Sequence, residues 1–215
     1  MRPWYTPEVN IDWDRSITLL IVLVTMFLLL YSVGTGGDIL TLIQQNINLV
    51  YIIFMLGFSY TQMSGKNPNY GGIGENKNIK RGILLGAVVA AIMVFSAGIK
   101  LATPLASTLS SSEALALFYI AFIVPFAEEK FFGNTLPFVF DRNIKNSFVT
   151  FALCGVLFGL FHLIAYSGNV AYIVAAIVFR FMASYGNQEL KTSTFGWTVH
   201  YINNISQVAR KFMGM

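Results

Sequence analysis

The chain has 215 residues, of which 55% are hydrophobic and only 11% carry a charge. Soluble domains of average composition have about 25% charged residues, so a soluble chain this poor in charge could not cover its surface. The net charge is +4, but the basic residues are spread over many connecting segments and form no nucleic-acid patch. We therefore expect an all-α, polytopic transmembrane bundle whose main partner is the lipid bilayer.

A helix that crosses a bilayer needs roughly 20 mostly apolar residues. The segments that meet this requirement are, in chain order, 16–34, 43–63, 82–102, 114–139, 147–166, 169–186 and 194–211. They predict about seven spans in one integral membrane domain, 1–215, and an extra short or re-entrant helix fits the same pattern. Lys and Arg are concentrated in alternate loops, which places the N-terminus and the 64–81 loop in the cytoplasm.

Small residues in these segments predict where helices approach one another closely. Gly82 and Gly86 form one GxxxG pattern, and Gly155 and Gly159 form a second. Such pairs let two helix backbones come close together. The single cysteine, Cys154, excludes an intrachain disulfide and is expected to be a small core residue.

Ionisable side chains lie inside the last four predicted spans. They are Glu128, Glu129, Lys130, His162, Arg180 and His200. Because an ionisable group at membrane depth is costly, each is a candidate functional residue. Two adjacent glutamates in an apolar helix cannot both be comfortably ionised without partners. Carboxylates in such surroundings can act as a general base or acid near neutral pH.

The spacing of the polar residues adds a second indication. Phe158 and His162 are four residues apart and share a helix face, as do His200 and Asn204. Three helices could therefore direct carboxylates, imidazoles and an amide to one point. This set could activate a water molecule and stabilise an oxyanion, or bind a metal, since Glu and His are zinc ligands. It could equally be polar contacts that hold helices together.

Three motifs in this region resemble those of a known family. Glu128 and Glu129 are followed by KFFGN, FGLFH occupies 158–162, and HYINN occupies 200–204. In this order they resemble the EExxxR, FxxxH and HxxxN motifs of the CAAX-protease and bacteriocin-processing (CPBP, or Abi) intramembrane proteases. The resemblance covers about 113–205, which would be the protease core. One residue departs from the pattern, because Gly133 stands where the motif has arginine.

The resemblance implies a glutamate-dependent endopeptidase (a hydrolase) that cleaves a peptide or membrane-protein substrate near the cytosolic membrane face. The roles that it implies are Glu128 as general base, Glu129 as the residue that orients it or shares its proton, His162 as the water-holding residue, His200 and Asn204 as oxyanion donors, and Phe158 as packing around the site. No cofactor is expected. A metal at Glu128, His162 and His200 is the less favoured alternative, because the familiar HExxH spacing is absent.

The missing motif arginine leaves a structural alternative open. A family member without catalysis could serve as an accessory subunit of a membrane protein complex. A transporter would be expected to show repeated halves, and no internal repeat is visible. Arg180 is the cation that could replace the arginine from another helix, provided that it does not reach to lipid headgroups instead. We expect Glu128 to face both histidines, Glu129 to turn towards another helix and Lys130 to point away.

Overall fold

The computed structural model describes residues 20–23, 25, 47–62, 76–96, 115, 117–163, 166 and 168–212. Every regular element within these ranges is helical, which confirms the all-α class for this part of the chain. The chain divides into two compact units, Met1–Tyr60 and Thr61–Met215.

The first unit contains little of the predicted first span. Residues 20–23 and 25 are helical, whereas the rest of 16–34 lies outside the described residues. Helix α1, Ile47–Gln62, falls within the predicted segment 43–63 and ends just beyond the unit boundary.

The second unit carries the helices that matter for the candidate site. They are α2 (Asn76–Ser96), α3 (119–144), α4 (Ser147–Phe161), α5 (Val170–Leu190) and α6 (Thr194–Phe212). Helix α2 packs along α6, α4 packs along α5, and α3 contacts both α4 and α6. Helices α2, α3 and α5 each extend beyond the apolar segment that predicted them, because polar residues continue the helix past the apolar part.

Helix α3 is irregular, and two prolines explain its form. It consists of a π-helical stretch Tyr119–Ile123, an α-helical stretch Val124–Glu128, a second π-helical stretch Glu129–Thr135 and an α-helical stretch Leu136–Ile144. Each π stretch is followed within two residues by a proline, Pro125 or Pro137. Proline has no N–H to donate, so the regular i to i−4 ladder cannot continue through it. Single π turns of this kind are often found at functional sites.

A tight turn joins α3 to α4, and an asparagine side chain caps the start of both α4 and α5. Lys145 has a left-handed conformation with φ of 51°, and the Asn146 side chain then accepts the Val149 N–H at 3.2 Å. The first turn of α5 is capped in the same way by Asn169. Asn is a favoured N-cap residue because its side-chain oxygen satisfies a free backbone N–H.

Close packing of α4 against α5 depends on glycine, as the GxxxG pattern predicted. A Cβ atom on Gly155 would lie 2.8 Å from the Ile177 carbonyl oxygen, and one on Gly159 would overlap the Ile177 side chain. Gly82 and Gly86 similarly allow α2 to approach Thr194 and α6. The α4–α5 contact brings the helix that ends at His162 next to the helix that carries Arg180.

Among the described residues, one helix is long and apolar enough to cross a membrane, Val170–Leu190. Leu49–Gln62 and Ser147–Phe161 are apolar but shorter than a bilayer requires.

Candidate active site

The two glutamates lie where α3 changes from α-helical to π-helical hydrogen bonding. Glu128 is the last residue of the α-helical stretch Val124–Glu128, and Glu129 is the first residue of the following π stretch. Both side chains are directed into the bundle and are buried. His162 caps the end of α4, and His200 lies within α6.

Glu128 lies between the two histidines. Its Oε2 atom is 3.1 Å from Nε2 of His200, and its Oε1 atom is 3.6 Å from Nε2 of His162. The structure therefore brings these three residues from three helices to one point. The second distance exceeds that of a hydrogen bond. A water molecule placed beside the two atoms can contact both of them.

The hydrogen bonds of His162 define which ring nitrogen faces Glu128. Its Nδ1 atom is 2.8 Å from the carbonyl oxygen of Phe158, one turn earlier in α4. A carbonyl oxygen can only accept, so Nδ1 carries the hydrogen. In the neutral ring, Nε2 therefore presents a lone pair beside Glu128, and a water molecule at this point can donate one hydrogen to each group.

His200 is held between both carboxylates. Its Nδ1 atom is 2.9 Å from Oε1 of Glu129, in addition to the contact of Nε2 with Glu128. Ionised carboxylates only accept, so the arrangement needs a hydrogen on both ring nitrogens or a proton on one carboxyl group. Glu129 does turn towards another helix, as expected, because it pairs with Arg180 of α5, but its additional contact with His200 was not predicted. Two adjacent carboxylates on α3 can both reach His200 because each contacts a different nitrogen of its ring.

Arg180 reaches the glutamate pair, as the sequence predicted. Its Nη1 atom donates to Oε1 of Glu129 at 2.6 Å, and neither side chain is exposed. The Nε atom of Arg180 donates to the hydroxyl of Ser184 at 3.3 Å. Removing one partner of a buried ion pair leaves an uncompensated charge, which typically costs about 3–5 kcal/mol. Arg180 is thus part of the site and does not extend to headgroups.

Aromatic rings surround the two histidines. The Phe158 ring centre lies 4.4 Å from that of His162 and 5.9 Å from that of His200. Phe179 covers His200 from α5 at 5.2 Å, and Tyr166 stacks on His162 at 5.2 Å. Phe158 accordingly packs between the histidines, in the position that its motif implied.

Asn204 is used differently from the other motif residues. Its Nδ2 atom donates to the carbonyl oxygen of Ile120 in α3 at 3.1 Å. The Val124 N–H donates to Tyr119, five residues back, and Pro125 has no N–H, so the Ile120 carbonyl has lost its intrahelical donor. The Asn204 amide satisfies this carbonyl and links α6 to α3.

Lys130 is buried but is directed to a different region from the carboxylates of Glu128 and Glu129. Its Nζ atom lies 5.9 Å from the ring centres of both Phe126 and Trp197. A cation over two aromatic faces is stabilised by their electron density. The expectation that Lys130 points away from its two neighbours agrees with this position.

Sequence reasoning missed three residues that surround the site. Ser184 is four residues after Arg180, so i to i+4 spacing could have indicated it. Tyr166 is four residues after His162, but both residues lie beyond the last residue of α4. Helix periodicity therefore could not predict their contact. Phe179 gave no signal, because one more phenylalanine in an apolar segment is unremarkable. Within the described ranges, no group of three or more His, Cys, Asp or Glu residues has the arrangement of a metal site.

A protein-family model described as "Type II CAAX prenyl endopeptidase Rce1-like" matches residues 110–206. Searches of curated proteins and of solved structures gave no match. The matched region includes all three motifs and the side chains that converge at the site, which are Glu128, Glu129, His162, Arg180 and His200. The match supports an intramembrane-protease type of function. Residues 110–206 are therefore identified as an Rce1-like region, which confirms the CPBP-family resemblance that the motifs predicted.

Proposed function

We propose that the chain is an intramembrane endopeptidase in which Glu128 is the general base for hydrolysis of a peptide bond. The observation that carries this proposal is the position of the Glu128 carboxylate between Nε2 of His162 and Nε2 of His200. These residues lie within the region that matches an endopeptidase family. The same constellation is what a carboxylate needs to take a proton from a bound water.

The distribution of polar and apolar side chains supports a location within the bilayer. Charged residues, including Glu129 and Arg180, are buried in the bundle. Large apolar side chains face outward on three helices, as shown by Leu84 in α2, Phe148 in α4 and Val170 in α5, each more than 60% exposed. Soluble proteins rarely expose apolar surface on this scale. We extend this to a multi-pass protein of about seven spans with a cytoplasmic N-terminus, following the pattern of apolar segments and basic loops.

The first step is attack by water. A water molecule beside Oε1 of Glu128 and Nε2 of His162 can donate a hydrogen to each, as argued from their 3.6 Å separation. Glu128 takes one proton as the water oxygen bonds to the carbonyl carbon of the substrate. His162 holds the water in position, because its own orientation is fixed by the Phe158 carbonyl.

The second step collapses the tetrahedral intermediate. The oxyanion that formed during the attack is held by the Nε2–H of His200, which lies 3.1 Å from Glu128 and is the donor closest to the base. The C–N bond then breaks, and Glu128 passes the proton that it took from water to the leaving amine. The products are a carboxylic acid and an amine, the acid passes its remaining proton to the amine to give a carboxylate and an ammonium group, and Glu128 returns to its starting state. No cofactor or metal takes part in these steps.

We assign Asn204 a smaller role than its motif implies. Its Nδ2 atom is engaged by the Ile120 carbonyl, so we propose that it positions α6, and with it His200, against α3. The accessory-subunit alternative has no comparable support, because Arg180 pairs with Glu129 inside the bundle. That contact is the one that the catalytic alternative requires.

The substrate class is a peptide or a segment of a membrane protein. The description of the matched family names a CAAX prenyl endopeptidase, so a farnesylated peptide ending in a CAAX sequence is the first substrate to test. The purified protein is reconstituted in liposomes with this peptide, with its unprenylated form, and with a transmembrane peptide, and new termini are identified by mass spectrometry. Cleavage by the wild type and none by Glu128→Gln supports the proposal. Equal cleavage by both proteins contradicts it.

A further inference from the structure

A residue without a side chain lies directly beside the buried ion pair. A Cβ atom built on Gly133 would be 2.8 Å from Oε2 of Glu129 and 3.4 Å from each terminal nitrogen of Arg180. Gly196 also borders Oε2 of Glu129, 3.0 Å from the Cβ built on it, but its other two nearest atoms belong to Asn187 and not to Arg180. The space next to Gly133 is therefore occupied by the carboxylate of Glu129 and the guanidinium of Arg180.

The ion pair is incomplete on the side that faces Gly133. One arm is formed by Nη1 of Arg180 and Oε1 of Glu129 at 2.6 Å. The other two atoms, Nη2 and Oε2, are buried and make no hydrogen bond to the described residues. Both lie near the point that a Gly133 Cβ would occupy. A second hydrogen bond, from Nη2 to Oε2, would make the pair bidentate. A side chain at residue 133 would occupy the space in which this hydrogen bond would form.

The pair is also connected to the proposed base. Oε1 of Glu129 accepts from both Arg180 and Nδ1 of His200, and Nε2 of His200 contacts Glu128. A continuous series of contacts thus leads from α5 through α3 and α6 to the carboxylate that would activate water. Residues that fix the orientation of such groups act on the reaction without touching the substrate.

We infer that Arg180 is a positioning residue for Glu129 and His200, and that Gly133 is required because it leaves the room that the Arg180 guanidinium occupies. Only one cation fits beside Glu129. When residue 133 is glycine, Arg180 of α5 supplies that cation. An arginine at 133 would approach Glu129 from α3 and would compete with Arg180 for the same space. This inference deepens the proposed function, and rests on it for the catalytic consequence alone.

The test is a double-mutant cycle at the two positions, measured first as thermal unfolding of the purified protein in detergent. Arg180→Met removes the cation and keeps much of the volume, and we expect Tm to fall by about 10 °C. Gly133→Arg alone also lowers Tm, because two guanidinium groups then compete for one site. The double variant Gly133→Arg/Arg180→Met supplies one cation from α3 and should recover most of the loss. The control Gly133→Met/Arg180→Met adds bulk without charge and should recover none.

The second measurement is turnover, made at a temperature at which every variant is folded. We expect Arg180→Met to lower kcat by about 100-fold with little change in KM, because His200 and Glu129 are misplaced. The Gly133→Arg/Arg180→Met variant should regain a large part of kcat. Additive effects on Tm, or equal recovery with methionine at 133, would overturn the inference. The stability cycle does not require cleavage, so absence of activity in the wild type would count against the proposed function and not against this pairing.

Discussion

Removing the amide of Asn204 separates a structural role from a catalytic one. The Nδ2 atom donates to the Ile120 carbonyl at 3.1 Å, and Pro125 leaves this carbonyl without a donor of its own. This hydrogen bond lies at an exposed position, since Ile120 is 40% exposed, so its loss should cost no more than the lower end of the roughly 1–3 kcal/mol typical of an unsatisfied buried carbonyl. Hydrogen bonds between helices in membranes average about 0.6 kcal/mol. Since Asn204 is also partly accessible, we expect Asn204→Ala to destabilise the protein by about 1 kcal/mol.

The measurement is thermal unfolding combined with steady-state kinetics. A loss of about 1 kcal/mol corresponds to a fall in Tm of roughly 2–4 °C for a chain of this size. We expect kcat to fall less than tenfold, because His200 remains in place. The adjacent substitution Asn203→Ala controls for the loss of an amide at this end of α6 and should leave Tm closer to that of the wild type.

The opposite result would refute this reasoning. Loss of an oxyanion donor typically lowers kcat by about 100- to 1,000-fold. If Asn204→Ala produced such a loss without a change in Tm, the amide would serve the substrate and not the Ile120 carbonyl. The role implied by the HxxxN motif would then hold, and the assignment of Asn204 to helix positioning would be wrong.

Three further predictions concern packing, the water-holding histidine and metal dependence. Gly159→Leu should lower Tm strongly, because its side chain would overlap Ile177; Val156→Leu on the outward face of the same helix should not, and equal effects would contradict the close packing of α4 on α5. His162→Ala should lower kcat by about 100-fold or more while leaving Tm within a few degrees, and unchanged turnover would remove His162 from the mechanism. A chelator such as 1,10-phenanthroline should leave turnover unchanged; loss of activity restored by zinc would contradict hydrolysis without a metal.

Motif spacing predicted the centre of the site well. Glu128, His162 and His200 are far apart in sequence but converge, because each lies on one face of a helix. Arg180 was predicted to reach the glutamates because an ionised buried carboxylate needs a cation and the other candidate, Lys130, is adjacent in sequence and points elsewhere. Helix periodicity and the cost of burying charge were sufficient for both predictions, the convergence of Glu128 with the histidines and the approach of Arg180.

Other features could not be predicted because they depend on departures from regular geometry. Contact of both carboxylates with His200 depends on how its ring is placed, with one nitrogen facing each glutamate, and helix periodicity alone does not give the position of that ring. The partner of Asn204 is the Ile120 carbonyl, 84 residues earlier in the sequence, and this carbonyl is free only because Pro125 cannot donate to it. The number of spans remains a prediction, since only Val170–Leu190 meets the length and apolarity of a spanning helix among the described residues.

The central claim is that Glu128 is the base that activates water. Its most direct test is the rate of peptide cleavage by Glu128→Gln in liposomes, compared with Glu189→Gln, a substitution of an exposed glutamate in α5. Glutamine keeps the shape of the side chain but cannot take a proton at this site, so the account predicts a fall in kcat of about 100- to 10,000-fold for Glu128→Gln. It predicts a rate close to that of the wild type for Glu189→Gln. Cleavage by Glu128→Gln at the wild-type rate would contradict the account.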